Sequence, residues 1–193
     1  MTFLPEWSSR GYLPHLDAPE TLQFVTFRLA DALPADVERE LDDITRRFGQ
    51  TARMRAVEAW LDRGFGACHL RDERVGLLVE NALLYFDGQR YRLYEWVVMP
   101  NHVHVLVEIL GSWRLREVLH SWKSFTSKEA GKLLGPGGRF WQEDYFDRYI
   151  RDTEHYSRTV EYIRQNPVKA GLAKIPEAWH FSSAARARHC VDN

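Results

Sequence analysis

Hydrophobic residues recur along the chain at two different spacings, and each spacing predicts one type of element. Alternation with β-branched and aromatic residues indicates strands, and recurrence every three or four positions indicates helices. The predicted strands cover residues 21–29, 90–98, 102–107 and 145–150. The predicted helices open near Leu33, surround Trp60, start near Asp72, run from about Leu115 to Lys132, and follow the cap Asp152 to Gln165 or Asn166. This order predicts an α+β fold like the split βαβ fold. It would have an antiparallel sheet of about four strands, helices mainly on one face, and a helical insertion after the first strand.

Length and composition predict a single domain with two short ends. The 193 residues, 45% of them hydrophobic, are enough for one core. We expect an irregular N-terminal arm over residues 1–20, one domain over residues 21–185, and a C-terminal tail over residues 186–193. Two cysteines supply no disulfide framework, the first residues lack a signal-peptide pattern, and no apolar run approaches the ~20 residues that span a bilayer. These features predict a cytoplasmic protein with no membrane partner.

Two histidines stand one residue apart in the predicted strand that follows the Met99-Pro100-Asn101 break. Side chains at positions i and i+2 of a strand point to the same face, so His102 and His104 project side by side while the valines around them face the other way. Two imidazoles in this arrangement can share one metal ion. Two partly exposed sheet histidines would give the same pattern, so the motif by itself leaves both interpretations open.

The last predicted helix carries a second set of polar groups. Tyr162 lies off the buried stripe of this helix and shares a face with Asn166, one turn further on. The phenol and the amide oxygen can therefore meet over one point. A tyrosine at a helix edge and an asparagine that ends a helix before Pro167 are also ordinary structural residues. The helix pattern, like the histidine pattern, needs a second observation to decide it.

Two segments of the chain resemble the motifs of a known family. Residues 99–106 (MPNHVHVL) are similar to the HUH motif, His-hydrophobic-His, of the single-tyrosine transposases that mobilise insertion sequences. Residues 161–172 (EYIRQNPVKAGL) are similar to the tyrosine helix of one branch, the REP-associated tyrosine transposases. Residues 122–125, 140–142 and 147–152 are also typical of that branch. The resemblance extends over roughly residues 12–185, with the motifs in the family's order.

The resemblance implies a fold, a substrate and a set of site residues. It implies a ferredoxin-like HUH fold that acts on single-stranded DNA with hairpins. It implies that His102, His104 and Asn166 bind a divalent metal, Mg²⁺ or Mn²⁺, and that Tyr162 is the catalytic nucleophile, which forms a 5′-phosphotyrosine. Relatives include dimers that assemble their sites across subunits, so a homodimer remains open.

The distribution of charge bears on where DNA would bind. The net charge is −1 and the isoelectric point about 6.7, low for a DNA enzyme. Residues 1–112 carry 12 basic and 17 acidic side chains, and residues 113–188 carry 14 and 9. We therefore expect the acidic insertion, between residues 36 and 87, to face away from DNA. Four basic residues are candidates for contacts with phosphate: Arg158, Lys169, Lys123 and Arg139. Trp141 could stack on a base. The competing interpretations are that the basic residues belong to a solvated surface and that the tryptophan belongs to the core.

Three functions are compatible with this set of residues. A cation held by two imidazoles and an amide can polarise a phosphodiester, and a tyrosine, with an ordinary pKa of ~10, can attack it if a base or positive charge is near. The same fold could instead bind DNA hairpins without cleaving them. It could also be a metallophosphoesterase with a water nucleophile. The presence of all four residues favours the first function, a metal-dependent nickase and strand transferase.

Overall fold

A four-stranded antiparallel sheet organises the computed structural model, which describes the backbone of residues 6–9, 14–17 and 20–191 and the side chains of residues 20–187. The strands are β1 (Glu6–Ser9), β2 (Pro14–Asp17), β3 (Leu22–Arg28), β4 (Tyr91–Val98), β5 (His102–Ile109) and β6 (Phe146–Tyr149). The helices are α1 (Ala35–Phe48), α2 (Gln50–Leu61), α3 (Glu73–Leu84), α4 (Leu115–Leu134), α5 (Thr153–Lys169) and α6 (Ser183–Val191). The order of strands in the main sheet is β4-β5-β3-β6. The predicted fold class, α+β with an antiparallel sheet of about four strands and a helical insertion after the first, is confirmed.

The two faces of the main sheet differ in chemistry, as the alternation in β5 predicts. One face, the valine face, presents Val103, Val105 and Val107 to the larger hydrophobic core, which includes Val79 of α3 and Trp122 of α4. The other, the histidine face, carries His102 and His104. It packs against α5, where Ile163 is fully buried among Phe24, Val97 and Leu106. Helices therefore cover both faces, and α5 lies on the same side as the histidines.

Hydrogen bonds connect the insertion formed by α1 and α2 to the sheet beside the turn between β4 and β5. The amide nitrogen of Asn101, in that turn, donates to the carbonyl oxygens of Leu61 (3.4 Å) and Phe65 (3.1 Å). At the end of β3, the Arg28 guanidinium donates to the Glu38 carboxylate of α1 at 2.5 Å. These contacts bring α1 and α2 to the end of the sheet at which β5 begins, with His102 as its first residue.

Helix α5 begins where the sequence predicts and ends later. The Asp152 side chain accepts from the backbone N–H of His155 at 2.7 Å, which is an N-cap bond. The prediction that the helix ends at Gln165 or Asn166 is wrong, because it continues through Pro167 to Lys169. Proline removes only one N–H donor here, and the carbonyls of the last turn are taken by later N–H groups, such as those of Ala170 and Leu172.

Both ends of the chain contain more regular structure than predicted. Strands β1 and β2 form an antiparallel pair, so the prediction of an irregular arm is wrong for residues 6–9 and 14–17. Helix α6 crosses residue 186, so the tail predicted from that point begins as helix. The rest of residues 1–20, apart from Glu20, and residues 192–193 lie outside the described part of the chain.

None of the helices that the structure describes is long and apolar enough to cross a lipid bilayer.

Candidate active site

The two histidines of β5 face each other in the interior of the molecule. His102 and His104 are each 1% exposed, and their Nε2 atoms are 3.0 Å apart. Behind them, the Nδ1 atom of His102 lies 2.7 Å from Asn101 Oδ1, and the Nδ1 atom of His104 lies 2.7 Å from Thr26 Oγ1. The outer nitrogens are therefore occupied by hydrogen bonds, and the inner nitrogens converge on one point.

The surroundings of Asn101 determine the tautomer of His102. Because the Asn101 amide nitrogen donates to the carbonyls of Leu61 and Phe65, its oxygen is the atom that faces the imidazole. That oxygen can only accept, so Nδ1 of His102 must carry the hydrogen. The Nε2 atom of His102 then presents a lone pair toward His104, as a metal ligand requires.

Burial keeps both imidazoles neutral. It lowers the pKa of His102 to about 3, and it lowers the pKa of His104 well below its ordinary value, with the neighbouring His102 adding to the effect. A neutral imidazole has a nitrogen lone pair free to bind a cation. The pair can therefore act as ligands throughout the physiological pH range.

Helix α5 brings its tyrosine and asparagine to the same point. The Tyr162 hydroxyl lies 3.5 Å from His104 Nε2, and its ring packs edge-on against Phe24, with centroids 5.7 Å apart. The Asn166 amide lies near that hydroxyl and is 1% exposed. The Oδ1 atom of Asn166 is buried and has no hydrogen-bond partner among the residues that the structure describes. A buried acceptor without a donor is costly unless something else satisfies it, and a cation would do so.

These donors fit a divalent metal ion. No group of three or more His, Cys, Asp or Glu side chains that could hold a metal occurs in the described part of the chain. An amide oxygen is a donor of another type that can join two imidazoles at a cation. The Oδ1 atom of Asn166 is such a donor. Two imidazole nitrogens and one amide oxygen suit Mn²⁺, and the oxygen also suits Mg²⁺. The structure thus brings together all four residues singled out in the sequence: His102, His104, Tyr162 and Asn166.

Sequence reasoning missed a carboxylate that α2 contributes. Glu58 of α2 lies close to the Tyr162 hydroxyl, and burial raises the pKa of Glu58. Burial, together with the negative charge of Glu58, raises the pKa of Tyr162 far above its ordinary value. The acidic insertion, which we expected to face away from DNA, thus contributes a carboxylate of α2 to the site. The available signal was the pair Glu58 and Asp62, two carboxylates one helical turn apart just before a glycine.

The two phosphate-contact candidates on α5 have different surroundings. The ammonium group of Lys169 lies 5.1 Å from the centre of the Tyr162 ring and interacts with the carboxylates of Glu58 and Asp62. Arg158 is largely exposed and pairs with Glu154 at 3.4 Å. Lys169 therefore borders the site, whereas Arg158 belongs to the outer surface of the helix.

The remaining three candidates lie beside α4. Trp141 is 3% exposed, donates through its indole nitrogen to Thr126 Oγ1 at 2.8 Å and packs on Phe27, so its ring belongs to the core and cannot stack on a base. This corrects the expectation for Trp141. Lys123 donates to the backbone oxygen of Glu143 at 2.7 Å, and Arg139 pairs with the carboxylate of that residue at 3.3 Å. Both cations border a groove between α4 and residues 139–145.

Comparisons with known proteins find relatives of this chain among transposases. The family model described as "Transposase IS200 like" matches residues 78–166, a range that contains both histidines, Tyr162 and Asn166. A REP-associated tyrosine transposase of Escherichia coli (strain K12) is 31% identical over 134 residues, which are 63% of this chain and 76% of that protein. A putative REP-associated tyrosine transposase of Haemophilus influenzae is 26% identical over 102 residues, which are 46% of this chain and 56% of that protein.

One solved structure shares the fold. A REP-associated tyrosine transposase bound to a REP hairpin matches with a TM-score of 0.60 at 20% identity, over 93% of this chain and 82% of that one. The sheet, the helices around it and the sequence relationship together define a transposase. The chain belongs to the REP-associated tyrosine transposase family.

Proposed function

We propose that this protein cleaves and rejoins single-stranded DNA beside hairpins, with Tyr162 as the nucleophile. One observation carries the proposal: the Tyr162 hydroxyl lies 3.5 Å from His104 Nε2 in a buried site where the Oδ1 atom of Asn166 has no described partner. A tyrosine that served only to pack the helix would not need this polar surrounding. A site that only bound DNA would not need two neutral, inward-facing imidazoles.

The histidines and Asn166 would hold Mg²⁺ or Mn²⁺. When bound, such a cation withdraws electron density from the scissile phosphate and neutralises charge that develops on it. The chain's own part is to keep Nε2 of His102 free of a proton, through Asn101, and to keep both imidazoles neutral through burial.

Tyr162 would attack phosphorus through its hydroxyl oxygen. The bond between that oxygen and phosphorus forms while the bond from phosphorus to the 3′ oxygen of the preceding nucleotide breaks. The products are a 5′-phosphotyrosine and a strand that ends in a 3′-hydroxyl once solvent has protonated the leaving oxygen. Because the covalent link replaces one phosphoester by another, the strand can be rejoined without ATP.

Glu58 would take the proton of the attacking phenol. The raised pKa of Tyr162 means that the free phenol is protonated at neutral pH, so a base at its oxygen is needed. The carboxylate of Glu58 lies near this hydroxyl, and its own raised pKa makes it a stronger base. Lys169, beside the tyrosine ring, offers a positive charge to the phosphate.

The proposed partner is DNA that contains a hairpin. The structurally similar transposase was solved bound to a REP hairpin, and the shared fold supports the same class of ligand here. The proposed site is complete within one chain, so a second copy is not required for it.

A covalent-adduct assay tests the proposal. Oligonucleotides that contain palindromes found beside the gene are labelled at the 3′ end, incubated with Mn²⁺ and run on a denaturing gel. The 3′ label should migrate with the protein, and an oligonucleotide labelled at the 5′ end should release a shorter free fragment. Tyr162→Phe should abolish the adduct and keep the binding, whereas Tyr85→Phe, at an exposed tyrosine, should change neither.

The same assay separates the competing functions. Cleavage by Tyr162→Phe at the wild-type rate, with no adduct in either protein, would indicate a metallophosphoesterase with a water nucleophile. Tight binding without cleavage by the wild-type protein would indicate a DNA-binding protein that only retains the fold. Either result contradicts the proposal.

A further inference from the structure

A cavity of about 340 Å³ lies between the insertion helices and the histidine face of the sheet. Its walls come from β3, α1, α2 and the segment before β6, and we call it the insertion pocket. Its lining residues include Thr26, Arg28, Glu38, Arg53, Met54 and Val57. A volume near 300 Å³ is at the lower end of the range for small-molecule sites, which suits one flat heterocycle and excludes an extended chain.

The insertion pocket adjoins the histidine pair directly. Thr26, in its wall, is the residue whose hydroxyl lies 2.7 Å from His104 Nδ1. Arg28, also in its wall, is the cross-strand partner of His102. Neighbouring strands are about 5 Å apart, so the sheet wall of the pocket lies one strand away from the metal-binding nitrogens. A group attached to a phosphate at the histidines is within reach of it.

The charges around the pocket exclude a phosphate as its occupant. Its lining contains two arginines, Arg28 and Arg53, and three carboxylates, Glu38, Asp42 and Asp144, so the acids outnumber the bases. The arginines are already held by ion pairs: Arg28 to Glu38 at 2.5 Å, and Arg53 to Glu38 and Asp42, each at 3.1 Å. An anion would be repelled by the excess of carboxylates.

The same groups suit an uncharged base. The lining includes guanidinium N–H donors and carboxylate acceptors, which the ion pairs just described hold in place. The lining also includes the apolar side chains of Met54 and Val57 of α2. A nucleobase has an apolar face and an edge of donors and acceptors, which matches this combination. Helix α2 thus serves both parts of the site, with Glu58 at the tyrosine and its two apolar neighbours at the pocket.

We propose that the insertion pocket binds one unstacked nucleobase of the DNA strand, next to the phosphate that is cleaved. The proposal rests on the proposed function, because it takes the strand to cross the histidine pair. The base would fix the register of the strand, so that one particular phosphate meets Tyr162. The insertion helices would then contribute sequence recognition, in addition to closing the end of the sheet.

A scan with abasic nucleotides tests the pocket. The probe is the hairpin oligonucleotide that binds most tightly among the palindromes beside the gene, made in versions that each lack one base. Binding is measured by fluorescence anisotropy with Tyr162→Phe protein, so that cleavage does not interfere. One position within two nucleotides of the cleaved bond should weaken binding about tenfold to a hundredfold when its base is removed.

A substitution that fills the insertion pocket should abolish the effect of removing that base on binding. Val57→Phe, added to the same protein, should weaken binding of the intact oligonucleotide by the same factor and make the sensitive position indifferent to loss of its base. Ala59→Phe, on the exposed side of α2, is the matched control and should keep the wild-type pattern. Thermal unfolding of each variant verifies that it is folded. If Val57→Phe unfolds, Met54→Phe takes its place.

The results distinguish this inference from the proposed function. The base-binding role of the insertion pocket is overturned if no abasic position near the cleaved bond weakens binding, or if the folded pocket-filling variant keeps the wild-type pattern. Neither result affects the covalent adduct of the wild-type protein. A missing adduct together with a sensitive position overturns the nuclease proposal and leaves the pocket as a base-binding site.

Discussion

The hydrogen bonds behind the two histidines prepare them to bind a cation. Asn101 and Thr26 occupy the outer nitrogens of His102 and His104, respectively, so that the inner nitrogens face each other at 3.0 Å. Two lone pairs at this distance repel each other unless a proton or a cation lies between them. In proteins, groups that orient metal-binding histidines in this way typically contribute about 10- to 100-fold to metal affinity.

Glu58 is the site residue that the sequence did not indicate, and its substitution gives a defined result. Glu58→Gln keeps the size of the side chain beside the Tyr162 hydroxyl and removes the base. We expect the rate of adduct formation to fall by about 10² or more, because general-base catalysis typically contributes 10²–10⁴. Single-turnover adduct formation at saturating oligonucleotide measures this rate.

Glu40→Gln is the control for that experiment, since Glu40 is an exposed acid of α1. It should leave the rate unchanged, and both variants should bind DNA and Mn²⁺ as the wild type does. A rate in Glu58→Gln equal to or above that of the wild type would mean that this carboxylate only keeps the phenol protonated.

Among the secondary-structure elements, an ion pair connects α5, the helix that carries Tyr162, to the sheet. Glu95 of β4 is 5% exposed, accepts from Ser183 Oγ at 2.5 Å and pairs with Arg164 of α5. Arg164 lies two residues after Tyr162, so this pair helps to set the position of the nucleophile. The interaction joins a buried acid to a partly exposed base.

Removal of the positive partner should destabilise the protein by a moderate amount. Breaking a fully buried pair costs about 3–5 kcal/mol and an exposed one about 0–1 kcal/mol. Because the Arg164 side chain is 43% exposed, solvent screens part of the effect, and we expect Arg164→Leu to lower the free energy of unfolding by about 1–2 kcal/mol. Urea titration measures it.

Arg158→Leu, which breaks an exposed pair on the same helix, should change the free energy of unfolding by no more than about 0.5 kcal/mol. Equal losses in the two variants would show that the pair with Glu95 adds nothing beyond ordinary surface charge.

The parts of the site that the sequence could predict are those with a local pattern. The i, i+2 spacing of the histidines and the i, i+4 spacing of Tyr162 and Asn166 follow from strand and helix geometry, and the structure has both. The contact of Glu58 with Tyr162 follows from how a separate helix packs, which no spacing within α2 records. The burial of Trp141 likewise depends on Thr126 and Phe27, two residues of other elements.

At the scale of the whole molecule, the sheet joins distant segments into one site. Strand β5 supplies the histidines, β3 supplies Thr26, and helices α2 and α5, from opposite halves of the chain, meet at Tyr162. All of these contacts occur within a single chain. We therefore expect Tyr162 and the histidines of one site to come from the same chain, that is, a site assembled in cis.

Mixing two inactive variants tests this arrangement. Tyr162→Phe lacks the nucleophile and His104→Ala lacks a metal ligand, so neither should form an adduct alone. If the site is assembled in cis, an equimolar mixture should also form none after the proteins have been refolded together. Adduct on the His104→Ala chain would show that a tyrosine from one copy works with the histidines of another.

The proposed function requires that the two histidines of β5 and the amide of Asn166 in α5 bind the same cation, with Tyr162 beside it. An anomalous difference map from crystals of the protein soaked in Mn²⁺ tests this most directly. We expect one strong peak about 2.0–2.3 Å from His102 Nε2, His104 Nε2 and Asn166 Oδ1. A peak that leaves Asn166 uncoordinated, or manganese bound only elsewhere in the molecule, would contradict it.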